Sequence, residues 1–396
     1  MVEIKKLSEI AEIINGYAFE SKKYVDDGLR IIRIANVQDG VIVDNSPCFY
    51  PTNADINVEK YRLFENDILL SLTGNVGRIG MLPACMLPAV LNQRVCCLRP
   101  NESVNYKYLY YFLRRRCFAK DCIKASKGVA QLNLSTKWLA GYPIYVPDLS
   151  EQNHIVARVE ELFSQLDASV NELKTAKERL KVYRQAVLKE AFAKYHSFDS
   201  LGHISERIFD GPFGSNLKTA DYVDHGVRVV RLENIKNAWF DDTKQSFVTV
   251  EKYQTISNHT VYPNDLIMST FISESIKICQ LPREVGFAVN KADCIGIRLR
   301  SNVNPRFIMF FLASRKAYDT LIHQVHGATR PRVNTKQIKA MQIPVAELQE
   351  QDATVTWIEE KMSICDSIEK TVDTALQQVE ALRQSILKKA FEGGIA

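Results

Sequence analysis

Two stretches of the 396-residue chain, one in each half, combine side chains that attract a polyanion with side chains that tell one base from another. From Cys122 to Pro147 there is no acidic residue, while Lys124, Lys127 and Lys137 follow Arg114, Arg115, Arg116 and Lys120. From Thr320 to Ala346 there is again none, and His323, His326, Arg330, Arg332, Lys336 and Lys339 are present. Within these stretches lie Gly128-Val129-Ala130-Gln131-Leu132-Asn133 and Gly327-Ala328-Thr329-Arg330-Pro331-Arg332. Asn and Gln amides pair bidentately with adenine, arginine pairs with guanine, and lysine neutralises phosphate. Lys127, Gln131, Asn133, Lys137, His326, Thr329, Arg330, Arg332 and Lys336 are therefore candidate nucleic-acid contacts. A further loop, Thr73-Gly74-Asn75-Val76-Gly77-Arg78, follows a strand-like run and could bring backbone close to phosphate, which adds Asn75 and Arg78. Two recurring apolar runs add Arg33 with Asn36, and Arg231 with Asn234. For any single residue an ordinary solvated loop is an equal reading. Recurrence of the segment in both halves favours contact for the segment as a whole.

Residues able to carry a reaction are harder to find. There is no Walker A sequence, so work driven by ATP is not expected of this chain. No glycine-rich loop follows a strand in the pattern a nucleotide cofactor requires. Asn304-Pro305-Arg306-Phe307 resembles an amino-methyltransferase motif superficially. Its counterpart in the other half is Asn105-Tyr106-Lys107-Tyr108, so a helix start is the better reading. His323 and His326 could share a helix face, but no carboxylate or cysteine lies nearby at ligand spacing, and no metal is expected. The nine cysteines form no CxxC pair and sit mostly in apolar contexts, which suits reduced thiols acting as small hydrophobes. No apolar run approaches the 18 or so residues of a membrane span and no signal-peptide core opens the chain, so a cytoplasmic protein is expected.

The elements that must hold these segments repeat. Val159, Leu166, Leu173, Leu180 and Val187 recur every seven residues, with Leu162, Ala176 and Tyr183 beside them. The same pattern returns 199 residues later in Ile358, Cys365, Val372, Val379 and Ile386, flanked by Ile368, Ala375 and Leu382. A seam held for about four heptads predicts a coiled coil. The helices also finish alike: Arg184 to Phe192 reads RQAVLKEAF and Arg383 to Phe391 reads RQSILKKAF. Before each helix lies a module of about 150 residues, and the modules share landmarks in order. Ile31 to Val37 answers Val229 to Ile235, and both runs read as strands. Glu65-Asn66-Asp67 answers Pro263-Asn264-Asp265, a turn before a buried strand. Aromatic helices begin near Tyr108 and Phe307, and Tyr195 to Ser205 reads as a linker. Residues 1–147 carry 19 Lys/Arg against 14 Asp/Glu, and residues 197–346 carry the same numbers. Each module is thus basic while the helices are acidic, which suits a polyanion partner for the modules.

Ordered recurrence of these stretches, each set followed by a long helix, resembles the specificity (S) subunit of Type I restriction-modification systems. Gly16-Tyr17-Ala18-Phe19 and Asp210-Gly211-Pro212-Phe213-Gly214-Ser215 occupy the place of that family's early loop. Asp67-Ile68-Leu69 and Asp265-Leu266-Ile267 resemble its recurring strand start. Pro147-Asp148-Leu149-Ser150-Glu151-Gln152 and Ala346-Glu347-Leu348-Gln349-Glu350-Gln351 resemble its junction between module and helix. Ala346 in place of the junction proline, and the absence of glycines after Ser269, are departures. The resemblance adds Tyr17, Phe213 and Ser215 to the candidate contacts.

It implies an α+β fold of two target recognition domains, residues 1–147 and 197–346, followed by spacer helices at 148–196 and 347–396. The helices would pair as an antiparallel coiled coil with pseudo-two-fold symmetry. A helix of about 45 residues spans roughly 68 Å, ample to hold two readers one DNA turn apart. Double-stranded DNA, two methylation subunits and restriction/translocation subunits are the implied partners. S-adenosylmethionine, ATP and Mg would serve those subunits, with no cofactor in this chain. Two other readings stay open on residues alone: a protein-binding coiled-coil scaffold whose modules are inert, and a stand-alone methyltransferase or nuclease with a diverged site.

Overall fold

The computed structural model describes residues 3–53, 56–128, 131–323, 325 and 331–392. They form two compact units, one of residues 1–173 with 374–396 and the other of residues 174–373. Each unit therefore holds one globular module, the near end of the helix that follows it, and the far end of the other long helix. The helices run Leu149–Phe192 and Leu348–Phe391.

In the first unit an antiparallel four-stranded sheet has the order Ala11–Asn15, Val95–Pro100, Ile68–Ser71, Ile79–Met81. A second four-stranded sheet has the order Phe49–Tyr50, Leu29–Ile32, Ala89–Leu91, Arg62–Leu63, its central pair parallel. The second unit repeats the first sheet as Ser205–Asp210, Cys294–Leu299, Leu266–Ser269, Ile278–Gln280. It repeats the other with five strands, again with one parallel pair at its heart, Val227–Val230 beside Ala288–Asn290. Mixed sheets with separate helices make each module α+β, as the sequence led one to expect.

Local signals explain the landmarks. Asn66 and Asn264 take positive φ of 67° and 75° at the turn, and the aspartate after each begins a strand buried throughout. Those aspartates are themselves buried. Arg99 reaches Asp67 with two hydrogen bonds of 2.9 and 2.7 Å, and Arg298 reaches Asp265 at 3.1 and 2.7 Å. The paired carboxylate raises the pKa of each guanidinium. Asn105 and Asn304 cap the aromatic helices Tyr106–Leu113 and Pro305–Leu312, each accepting two backbone N–H bonds, so Asn304-Pro305-Arg306-Phe307 is a helix start.

Three expectations are corrected. The runs Ile31–Val37 and Val229–Ile235 do not continue as strands: each ends in a 3-10 turn, Ile34–Asn36 and Leu232–Asn234. The asparagine side chain closes that turn by accepting the N–H of Arg33 or Arg231 at 2.9 Å, a local bond that competes with the ladder. Tyr195 to Ser205 is no linker. Tyr195 is buried with its hydroxyl 2.7 Å from Thr354 Oγ1, Phe198–Ser200 pairs with Gln342–Pro344, and Leu201 is fully buried. The flank of the helical seam is also shifted by one residue. Tyr183, Ile368 and Leu382 are exposed. The seam is completed instead by Phe163 and Arg383 in the first unit, and by Lys177, Arg184, Met362 and Glu369 in the second.

Within each unit the helix segments run antiparallel, which the ion pairs report directly. Arg383 pairs with Asp167 in the first unit, its guanidinium 4.9 Å from the Phe163 ring. In the second, Lys177 meets Asp373 at 2.7 Å and Arg184 meets Asp366 and Glu369 at 2.8 and 2.9 Å. Phe391, the last helical residue of the chain, packs edge-on against Tyr108 and Phe112 at 5.2 and 5.3 Å. Phe192 does the same with Phe307 and Phe311, both at 5.2 Å. Each pair of helix segments thereby joins the module's main apolar core.

Glutamines fasten the two ends of each aromatic helix. Gln152, fully buried, accepts the N–H of Asn105 at 2.8 Å and donates to the carbonyls of Ser103 and Pro147 at 3.2 and 2.8 Å. Gln351 accepts from Asn304 N–H and donates to Ala346, both at 2.8 Å. At the other end Gln384 accepts from Arg116 N–H and donates to the Arg114 carbonyl; Gln185 does so with Arg315 and Ala313.

Candidate nucleic-acid interface

The candidate residues of the first module gather because the backbone of four loops is stitched together. Gly16 packs so tightly on the turn at 92–94 that a Cβ there would lie 2.2 Å from the Asn92 carbonyl oxygen. Tyr17 N–H then donates to Leu91, and Gln93 N–H returns to the Tyr17 carbonyl. Leu72 N–H reaches the Arg94 carbonyl, Leu134 N–H reaches Leu72, and Gly74 N–H reaches Leu132. Lys127 and Asn133 exchange backbone bonds of 3.0 and 2.9 Å. Tyr17, Asn75, Lys127, Gln131 and Asn133 consequently share one loop cluster, with Asn75, Lys127, Gln131 and Asn133 exposed. Tyr17 is half-buried, its ring edge-on to Phe19 and tilted against Tyr61, both at 5.2 Å. Arg33 borders the cluster and anchors itself on the Ser46 carbonyl at 2.8 Å.

The second module repeats the stitching. A Cβ on Gly211 would lie 2.0 Å from the Lys291 carbonyl oxygen. Lys291 N–H donates to Val230, Thr270 N–H to Asp293, Ile272 N–H to Pro331 and Val333 N–H to Thr270. Arg332 lies over the Phe271 ring, 4.5 Å from its centroid, and pairs with Asp293. Arg231 bridges to Glu233 at 3.3 Å and faces the Tyr222 ring. Phe213 and Ser215 sit on the exposed loop that Gly211 starts; Phe213 is 73% exposed, unusual for a bare phenyl ring.

Four candidates fall elsewhere. Asn36 and Asn234 are buried, and their amides are consumed inward: besides closing the turns above, Asn36 donates to Val43, and Asn234 to Asp241 and Lys244, all at 2.8 Å. A buried amide with its bonds taken up has nothing to offer a base, so these two position a loop. Arg78 turns to Gln38 at 2.9 Å. Lys137 lines a separate hollow with Asp121, Trp138 and Tyr142. Lys336 is exposed on the short helix Thr335–Lys339, beside Thr335, whose hydroxyl bonds Asp210 at 3.0 Å. His326, Thr329 and Arg330 lie outside the described residues. Among the described residues no group of three His, Cys, Asp or Glu side chains is arranged to hold a metal, and no helix is long and apolar enough to cross a membrane.

Sequence reasoning missed Gln93, Arg94, Lys291 and Asp293. Each sits in the turn that joins two central strands, and only the packing of Gly16 and Gly211 against that turn brings it into the cluster. A glycine in a shared landmark was the available signal.

Two basic α+β modules with the same loop clustering, each set on antiparallel helix segments, make a duplicated architecture whose two loop clusters are the candidate nucleic-acid surface. Comparison with known proteins agrees. The family model for the Type I restriction modification DNA specificity domain matches residues 1–179 and 227–378. The chain belongs to that family, and its task is specificity, without catalysis of its own. It is 25% identical to the Type I restriction enzyme EcoBI specificity subunit of Escherichia coli across 98% of this chain and 85% of the relative. It is 23% identical to the EcoKI specificity subunit of Escherichia coli K12, across 98% and 88%. In fold it is similar to a chain from a structural study of assembly and conformational transition of the type I R-M system: TM-score 0.70, 16% identity, 99% and 98% covered. A crystal structure of the HsdS subunit from Thermoanaerobacter tengcongensis gives TM-score 0.51 at 16% identity, covering 99% and 97%.

Proposed function

We propose that each module reads one half of a bipartite, asymmetric DNA target, residues 1–147 one half and residues 197–346 the other. The observation that carries this is a duplicated set of scaffold contacts around loop clusters that present different side chains. The scaffold contacts recur position by position: Gly16 and Gly211, Asp67 with Arg99 and Asp265 with Arg298, Gln152 and Gln351. The side chains presented at the cluster do not: Tyr17, Gln131 and Asn133 in one module, Phe213, Arg332 and the Asp293 carboxylate in the other. Identical frames with different base-directed groups suit two different half-sites. Tyr17, Arg33, Asn75, Lys127, Gln131 and Asn133, with Phe213, Ser215, Arg231, Arg332 and Lys336, are the proposed contact set.

The helices act as spacer and docking surface. Methylation subunits bind there and supply S-adenosylmethionine chemistry on adenine; restriction/translocation subunits bring ATP hydrolysis, Mg and cleavage. Val182, Tyr183, Ile364 and Ile368 support docking, being large apolar residues left exposed on helices of the second unit. The protein works in the cytoplasm as part of host defence. The test is adenine-methylation mapping in cells carrying this chain and its methylation subunit. A split motif that requires this chain, and that changes in one half only when residues 197–346 are exchanged, supports the proposal. An unsplit motif, or one independent of the chain, sinks it.

A further inference from the structure

At the centre of each loop cluster is a turn joining two central strands, Asn92-Gln93-Arg94 in the first module and Lys291-Ala292-Asp293 in the second. Its backbone is tied to neighbouring segments. Asn92 N–H donates to Ile32, Gln93 N–H to Tyr17, and the Arg94 carbonyl accepts from Leu72. Lys291 N–H donates to Val230, and the Asp293 carbonyl accepts from Thr270. Three segments therefore fix the first turn and two the second, and none of these bonds uses a side chain of Gln93 or Arg94. Both side chains are exposed and make no hydrogen bond or ion pair among the described residues.

Around the same turn lie polar atoms that burial has left without a partner. Thr73 Oγ1 and Arg33 Nε are such atoms in the first module, and Thr270 Oγ1, on the residue equivalent to Leu72, is one in the second. Buried unpaired donors are few in folded proteins and each one asks for a cause. Arg33 borders, with Ile34, Ala35, Asn92, Gln93 and Arg94, a hollow of about 270 Å³. A turn anchored by its backbone, two unengaged forked side chains and an unpaired guanidinium nitrogen beside them are what a hydrogen-bonding, planar ligand edge requires.

We propose that this turn is a specificity determinant, with Gln93 and Arg94 reading base edges of the half-target assigned to the first module. The proposal rests on the two-reader function above. A glutamine amide matches adenine N6 and N7, and an arginine fork matches guanine O6 and N7. In the second module the equivalent turn presents different chemistry: Asp293, at φ 71°, pairs with Arg332 and so sets the direction of an arginine that arrives from another loop. The two modules thus read through the same turn, one directly and one through an arginine that the turn aims.

The test uses the full chain assembled with its methylation subunit, comparing wild type with Gln93→Ala, Arg94→Ala and Arg94→Lys by adenine-methylation mapping, with binding measured over a salt series. Arg94→Ala is expected to make one specified G·C position of one half-target degenerate, the preference falling about 5- to 150-fold. Gln93→Ala should do so at an A·T position. Arg94→Lys keeps the charge and the salt slope while relaxing the same G·C position. The unchanged other half-target, read in the same molecules, certifies folding and assembly. A motif unaltered in both halves, with affinity falling equally on all sequences, would make the turn a phosphate contact and overturn the proposal. If wild type itself gives no chain-dependent split motif, the two-reader function fails; if wild type gives one and the variants keep it, only the turn's role fails.

Discussion

Truncating Phe391, the last helical residue of the chain, should loosen the first module and leave the second alone. Phe391 contacts two rings of the Tyr106–Leu113 helix, Tyr108 at 5.2 Å and Phe112 at 5.3 Å, and the Arg115 guanidinium stacks 3.7 Å from the Phe112 centroid beside it. Replacing a buried phenylalanine by alanine costs about 3–5 kcal/mol, transfer and cavity together. Phe391 is half-buried, so the cost falls below that range, to about 2–3 kcal/mol, including two edge-to-face contacts of roughly 1 kcal/mol each. Phe192 is 3% exposed and meets Phe307 and Phe311 in the same geometry, so Phe192→Ala should cost the second module the full 3–5 kcal/mol. Trp138 reports the first unit; Trp239 and Trp357 report the second. Urea titration followed in a chain whose sole tryptophan is Trp138, and in another that keeps Trp239 and Trp357, separates the two transitions. Phe391→Ala should move only the Trp138 midpoint. A shift in the second unit alone, or in neither, would refute the assignment of the final helix segment to the first module's core.

Gln152→Leu leaves the Asn105 N–H and two carbonyls without partners, three groups against two for Gln351→Leu, so the first should lose about 3 kcal/mol and the second about 2, read by the same titrations. Asp265→Ala strands the Arg298 guanidinium beside the core and should cost about 3 kcal/mol, with Arg298→Met/Asp265→Leu recovering most of it; an additive double mutant would contradict pairing. Adding seven residues to both helices lengthens the rod by about 10.5 Å, roughly three base pairs at 3.4 Å each. The unspecified gap in the methylated motif should grow accordingly with both half-targets intact, and an unchanged gap would end the spacer reading. Native alkylation at pH 7.5 should label the exposed Cys85 and Cys117 and spare Cys294, whose thiol burial pushes up to about 12 and so keeps protonated across the neutral range.

The architecture was legible because its signals are periodic or duplicated. A heptad seam needs only residue type and spacing, and a landmark met twice filters out chance. What the sequence hid were contacts that local pattern does not encode. The strand-like run Ile31–Val37 ends early because one asparagine side chain reaches back three residues, and β-branched composition outvotes that in any window. Tyr183 looked like a seam residue on apolarity alone. Arg184 holds the seam instead, because a long guanidinium stem can cover apolar surface while its head meets Asp366 and Glu369. Of the candidate contacts, Asn75, Lys127, Gln131 and Asn133 lie exposed on loops, whereas Asn36 and Asn234 are buried, and an amide's burial is invisible until the fold is known. Gln93 and Arg94 escaped since a three-residue turn carries no pattern of its own.

The likeness of the two helix endings, RQAVLKEAF and RQSILKKAF, has a physical cause that the poor match between the modules brings out. Gln185 and Gln384 bind backbone groups, an N–H and a carbonyl, at the end of an aromatic helix, and backbone offers the same groups whatever side chains surround it. Phe192 and Phe391 dock on a pair of rings whose identities differ, Phe307 with Phe311 in one unit and Tyr108 with Phe112 in the other, yet any aromatic pair at that spacing accepts an edge. Contacts of this kind place few demands on the rest of a module. The loop cluster is anchored through Gly16 and Gly211 and through backbone bonds to the central turn, none of which uses the side chain of Gln93, Arg94, Gln131 or Phe213. Side chains that carry no share of the frame are free to change, and a reader whose target must differ between its two heads is built most economically from them.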